Sequence, residues 1–145
     1  MRSINLGAGD RVSEALVGYG LLDQVGSLLT GKVEPARSVI LTDANVAPLF
    51  AERVSASLTK SGFHSILITI APGETSKSLS VAETICDQMS RAGLDRSSIL
   101  ITLGGGVVGD LGGFVAAIYH RGIRYVQSQP RYWPRWIVRS AARRR

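Results

Sequence analysis

The chain has 145 residues, 45% hydrophobic and 19% charged, the balance of an ordinary globular domain large enough to bury a core. No apolar run nears the ~18 residues that cross a bilayer, and the start, Met1-Arg-Ser-Ile-Asn-Leu6, has no secretory apolar stretch, so neither a membrane span nor a leader is expected. The formal net charge of +6 is local: residues 1–127 carry 11 basic and 11 acidic side chains, and residues 128–145 carry six arginines and no acid.

Ile4 and Leu6 read as a short strand, followed by a turn over Gly7–Asp10. Glu14–Gly18 reads as a second strand folding back on the first. Leu21, Leu22, Val25, Leu28 and Leu29 have helical spacing, with Gly31 placed to stop the helix. A regular alternation follows: strand Ser38–Thr42, helix Ala44–Lys60, strand His64–Ile70, helix Ser76–Arg91, strand Ser98–Leu103, helix Val107–Tyr119 and strand Ile123–Gln127. Strands alternating with helices predict an α/β, Rossmann-like fold, a mostly parallel sheet with helices on both faces. In such sheets ligands sit beyond the C-terminal strand ends. Three loops leave those ends, Asp43–Asn45, Ala71–Lys77 and Gly104–Gly106. The single cysteine, Cys86, rules out an internal disulfide and agrees with a reducing, cytoplasmic setting. Its place on the apolar side of a helix marks a small core residue.

The segment from Leu103 to Gln127, LGGGVVGDLGGFVAAIYHRGIRYVQ, holds seven glycines, one acid and two arginines among apolar residues. Gly104-Gly105-Gly106-Val107-Val108-Gly109 fits G-x-G-x-x-G between a strand and a helix, which would turn backbone N–H groups toward a pyrophosphate. A tight strand–helix packing turn explains about two of these glycines, not three in a row. The acid that usually follows about 20 residues on, to hold a ribose, is missing near Arg121–Arg124. Asp43 is the best substitute, although Asp43 or Asn45 could simply cap the next helix. Asp110 could complement the helix dipole or hydrogen-bond a sugar hydroxyl. Pro72-Gly73-Glu74-Thr75-Ser76-Lys77 reads as a turn capped by Ser76 with a solvated Glu74–Lys77 pair. Arg121 is either a cation at a helix C-terminus or an anchor for an anionic substrate. No His, Cys and carboxylate residues share metal-ligand spacing.

Taken together, the segment from Leu103 to Gln127 with TDANV, PGETSKS and GLLDQVGSLL resembles the N-terminal domain of 3-dehydroquinate synthase over Ile4–Gln127. Related sugar-phosphate cyclases share most of these motifs. The resemblance implies NAD and a divalent metal, zinc or cobalt, the metal held by a helical C-terminal domain that this sequence does not show. It implies closure of a seven-carbon sugar acid phosphate, DAHP, to 3-dehydroquinate with loss of phosphate, in a homodimer. Gly105, Gly106, Val107, Val108, Gly109 and Asp110 would contact NAD, Asp43 and Asn45 its adenosine side, and Gly73, Glu74 and Lys77 would line the same cleft. Arg121 would grip the substrate.

After Gln127 the resemblance stops. The family continues Val-Pro-Thr-Thr-Leu-Leu and then Asp-Ser-Ser-Val-Gly-Gly-Lys; here the sequence is SQPRYWPRWIVRSAARRR. Ser128–Pro134 can be encoded TCC CAA CCA CGC TAC TGG CCN, and with one preceding G, the last base of a CAG for Gln127, the same bases read Val-Pro-Thr-Thr-Leu-Leu-Ala. A frameshift at Gln127/Ser128 is therefore expected, with residues 128–145 an aberrant, disordered basic tail and the 145-residue chain inactive by itself. The alternatives are a stand-alone nucleotide-binding module, and a tail in which arginines interleaved with Trp133 and Trp136 bind nucleic acid. The frame argument favours neither nucleic acid nor membrane as a partner.

Overall fold

The structure, a computed structural model, describes residues 1–8, 11–130 and 135–141. Of the expected Gly7–Asp10 turn, Gly7 and Ala8 continue the first strand instead, and Gly9 and Asp10, like Trp133 and the terminal arginines, lie outside the described residues. Seven strands form one sheet in the order β1-β2-β7-β6-β5-β3-β4. The strands are β1 Arg2–Ala8, β2 Arg11–Tyr19, β3 Arg37–Asp43, β4 His64–Ile70, β5 Ile99–Leu103, β6 Arg124–Pro130 and β7 Arg135–Ala141. β6, β5, β3 and β4 are parallel neighbours, while β1, β2 and β7 extend the sheet antiparallel.

The α/β architecture is as expected, and β1 with β2 forms the expected antiparallel pair. Two features differ. Residues expected to be a disordered tail enter the sheet: Ser128–Pro130 lengthen β6, and β7 pairs with β2 on one side and β6 on the other. The antiparallel share of the sheet is correspondingly larger than the alternation predicts. The physical reason is pattern and position. Trp136, Ile137 and Val138 form a β-prone run, close enough to β6 in sequence to fold back along it.

The central parallel strands β3 and β5 are covered on both faces, so they are buried in unbroken runs rather than alternating, unlike the edge strand β4. All five residues of β5 are buried. On one face Ile40, Ile99, Ile101 and Leu103 pack with Leu21, Val25, Val54 and Leu58. These come from the 3-10 turn Leu21–Gln24 and the helices α1 Val25–Leu29 and α2 Glu52–Lys60. On the other, Val39, Leu41 and Leu100 pack with Ile85, Met89, Leu111 and Val115, from α3 Leu79–Arg91 and α4 Gly106–Ile118. Cys86 is half-buried against this second layer, and burial pushes its thiol pKa up, as suits an unreactive core residue.

The starts of α2 and α3 fall later than spacing alone suggests. Pro48 lies in a π-helical turn, Ala47–Ala51, before α2 proper. Ser78, not Ser76, caps α3 by accepting the Val81 N–H at 3.2 Å. The Ser76 hydroxyl instead donates to the Ala71 carbonyl, tying the preceding turn to the end of β4.

Candidate functional site

The three loops at the C-terminal ends of β3, β4 and β5 lie side by side because parallel pairing aligns their strand ends. Thr42 Oγ1 donates to the Leu103 carbonyl at 2.7 Å, the Ala44 N–H to the Ile70 carbonyl at 3.0 Å, and the Gly104 N–H to the Ser128 carbonyl at 3.1 Å.

The glycines of the loop separate into two kinds. Gly104 sits at φ +150°, and a side chain there would meet Val108 Cγ2 at 3.3 Å with the Asp43 carboxylate just beyond; glycine serves the turn. Gly105 and Gly106 face open space, with no atom within 4 Å of an added Cβ. Gly105 is the N-cap of α4 and no side chain caps the helix. The first-turn N–H groups and the positive end of the helix dipole are thus presented to the loop side. Gly109 and Gly112 serve packing instead. An added Cβ would come within 2.3 Å of Gln127 Nε2 at Gly109, and within 2.1 Å of Thr102 Cγ2 at Gly112. Val107 follows Gly106 at the first turn. Val108 is buried in the core, packed beneath Gly104. Of the predicted loop contacts, the structure therefore gives Val108 and Gly109 packing positions and leaves Gly105 and Gly106 open.

Asp43 Oδ1 accepts the N–H groups of Asn45 and Val46 at 2.8 and 2.9 Å, so it does cap the turn after β3. Asn45 stands exposed beside it. Asp110 lies just past the first turn of α4, where the dipole has little hold on it. Lys77 Nζ donates to Asp110 Oδ2 at 2.7 Å, both side chains roughly half-exposed. That bond, more than the nearby Glu74 charge, raises the Lys77 pKa. The predicted Glu74–Lys77 pair is thus replaced by a pair linking this loop to α4, although Glu74 stays near enough to act on Lys77 electrostatically. Gly73 turns the chain into this segment at φ +101°.

A groove of about 270 Å³ lies between the start of α3 and α4, lined by Lys77, Ser78, Leu79, Asp110, Leu111 and Phe114. Sequence reasoning missed Ser78 and Leu79 as lining residues. The available signal was the serine directly before the apolar run of α3, which fixes where the helix starts.

Arg121 does not join this cluster. It follows α4, whose 13 residues span about 20 Å, so it lies at the far end of the helix from the glycine loop. Both His120 and Arg121 have positive φ, +48° and +65°, an uncommon backbone for side chains other than glycine. Among the described residues no three His, Cys, Asp or Glu side chains gather as a metal site, and no helix is long and apolar enough to cross a membrane.

Residues 67–130 match the family model described as 3-dehydroquinate synthase N-terminal. The 3-dehydroquinate synthase of Brucella ovis is 41% identical over 125 residues, 86% of this chain and 33% of the relative. The chain belongs to the 3-dehydroquinate synthase family. It corresponds to the N-terminal part and spans about a third of the length of the curated relatives it matches. Among solved structures, a 2-deoxy-scyllo-inosose synthase complexed with carbaglucose-6-phosphate, NAD+ and Co2+ aligns over 88% of this chain and 34% of its own, with TM-score 0.79 and 21% identity, a likeness of fold. A 2-epi-5-epi-valiolone synthase from Streptomyces hygroscopicus, with NAD+ and Zn2+ bound, aligns over 76% of this chain and 30% of its own, with TM-score 0.63 and 29% identity. The segment matched to the 3-dehydroquinate synthase model contains the end of β4 with α3, β5, α4 and β6, and so carries two of the three loops of the site.

Proposed function

We propose that this chain supplies the dinucleotide-binding part of a cytoplasmic 3-dehydroquinate synthase, the lyase that converts DAHP to 3-dehydroquinate and phosphate. The observation that carries this is the uncapped start of α4 behind two glycines open to solvent, with Asp43, Lys77 and Asp110 around it. Such a helix start fits a pyrophosphate: backbone donors point at it, and no side chain competes. Gly105, Gly106 and Val107 hold the phosphates in this reading. Asp43 and Asn45 flank the adenosine side, and Asp110 accepts from a ribose hydroxyl. NAD supplies reversible removal of hydride from one carbinol of the substrate. The residues here bind and orient; they take no proton in the scheme.

The metal, zinc or cobalt, finds no ligand cluster among the described residues. In this proposal it belongs to the two-thirds of the family's length outside the match, and the 145-residue chain binds nucleotide without turnover. Arg121, a helix length from the loop, stands away from the nucleotide phosphates; in this proposal it grips the substrate, and the enzyme is a homodimer as the resemblance implies. Residues 128–145 are read as out-of-frame. In support, the Ser128 hydroxyl is fully buried with no hydrogen-bond partner, at the position where the shifted frame gives valine.

A titration with NAD+ tests the binding claim. Half of a cleft should bind in the millimolar range, about −4 kcal/mol, and Gly105→Val should abolish binding by blocking backbone approach. Micromolar affinity, or binding that survives Gly105→Val, would refute it. β7 favours a second reading, a stand-alone nucleotide-binding module, because residues past 127 complete the sheet. Resequencing the DNA around codon 127 separates the two readings.

A further inference from the structure

The Lys77–Asp110 pair joins the Ala71–Lys77 loop to the start of α4, where an anionic ligand would rest, and neither partner is explained by the fold. Asp110 lies beyond the reach of the α4 dipole, and both side chains are too exposed for the pair to contribute much to stability. Yet Asp110 sets a carboxylate about one turn from Gly106. That is the wrong charge beside a helix start that would hold phosphates, and Glu74 adds a second acid nearby.

We propose that Lys77 is a positioning residue that acts through Asp110: by holding its carboxylate, it cancels the charge that would repel an anionic ligand from the open Gly105–Gly106 loop. This rests on the phosphate-binding reading above. It also explains how one site can keep an acid for a sugar hydroxyl next to a cradle for phosphate. The alternative is that Lys77 simply contacts the phosphate as a point charge.

The probe is inorganic pyrophosphate, which has no sugar for Asp110 to bind, titrated into the full chain at low salt. Backbone amide shifts of Gly105 and Gly106 report the binding, and a thermal melt of each variant reports folding. Lys77→Met should weaken binding about fivefold, as expected for one half-exposed charge. Lys77→Arg should restore it, and the double variant Lys77→Met/Asp110→Asn should return to within about twofold of the parent. A double variant as weak as Lys77→Met overturns the proposal in favour of direct contact, and an unchanged Lys77→Met overturns it outright. If pyrophosphate shifts neither glycine in the parent chain, the phosphate-binding reading itself falls and takes this inference with it.

Discussion

The two halves of the sheet are built on different principles. The parallel half, β6-β5-β3-β4, is sealed on both faces at its centre: Val39, Leu41, Leu100, Ile101 and Leu103, on β3 and β5, expose 0% of their surface, while the edge strand β4 leaves Leu67 half-exposed. The antiparallel flank is thinner. Every residue from Arg2 to Gly7 is exposed, and Ile4 and Leu6 on β1 keep about half their surface in water. β2 contributes Ala15 and Leu16 to the interior, and among the described residues its strand connection to the parallel half runs through β7. The site lies wholly on the sealed half, where strand ends are fixed from both faces.

The sharpest way to break the contrast is to overfill the sealed half. Gly112→Val would drive a side chain into Thr102, with Leu100 and Leu41 behind it. A loss of about 3 kcal/mol or more is expected, read as a collapse of the thermal transition. Ile4→Ser on the flank should cost under about 0.5 kcal/mol. Equal losses would show that the halves are not different in kind.

Removing residues 131–145 tests the connection instead. Amide exchange in β2 should speed up by about tenfold or more while β3 and β5 stay protected. Uniform loss of protection would make the sheet one cooperative unit. A smaller effect is expected from Ser128→Val, which replaces a buried, unpartnered hydroxyl. It should gain about 1 kcal/mol, or about 3 °C in Tm for a domain of this size; a loss would mean that the hydroxyl has a use.

The smallest effect concerns Asp23 and Arg53, which clip the start of α2 to the turn before α1 with bonds of 2.8 and 2.6 Å. Arg53 holds the Asp23 carboxyl below its ordinary value of 3.8. A depressed carboxyl adds stability above the unfolded pKa and loses it as pH falls through the folded one. Arg53→Met should therefore cost about 0.5 kcal/mol near neutrality, discounted for exposure. Denaturant melts of the two chains should converge once the pH is well below 3.8.

The parallel half was legible in the sequence because burial on both faces leaves unbroken apolar runs, as at β3 and β5, and glycines at 31, 62 and 93 punctuate the elements between them. The glycine loop was legible for the same reason: three glycines in a row after a strand have few other uses. What escaped is what depends on distance along the chain. Lys77 and Asp110 are 33 residues apart, so sequence spacing pairs Lys77 with its neighbour Glu74. Ser76 and Ser78 both precede an apolar run, and only the bond from Val81 shows which is the cap. The tail's entry into the sheet was hidden because arginine content suggests a solvated segment, while pairing answers to backbone reach and alternate apolar residues.

The packing glycines of α4 carry one more consequence. With no side chain at Gly109 or Gly112, the helix rests directly on β5 and β6. Tyr125 pins its first turns by donating its hydroxyl to the Gly109 carbonyl at 2.7 Å, within reach of Thr102 Oγ1 at 3.2 Å. A helix seated flush on a sheet and bolted at one end has little freedom to tilt. The row of N–H groups at its start is therefore aimed before any ligand arrives, and a molecule docking there meets a surface that need not be ordered first. The glycines that touch nothing would do the binding; those that touch the sheet would make that binding rigid.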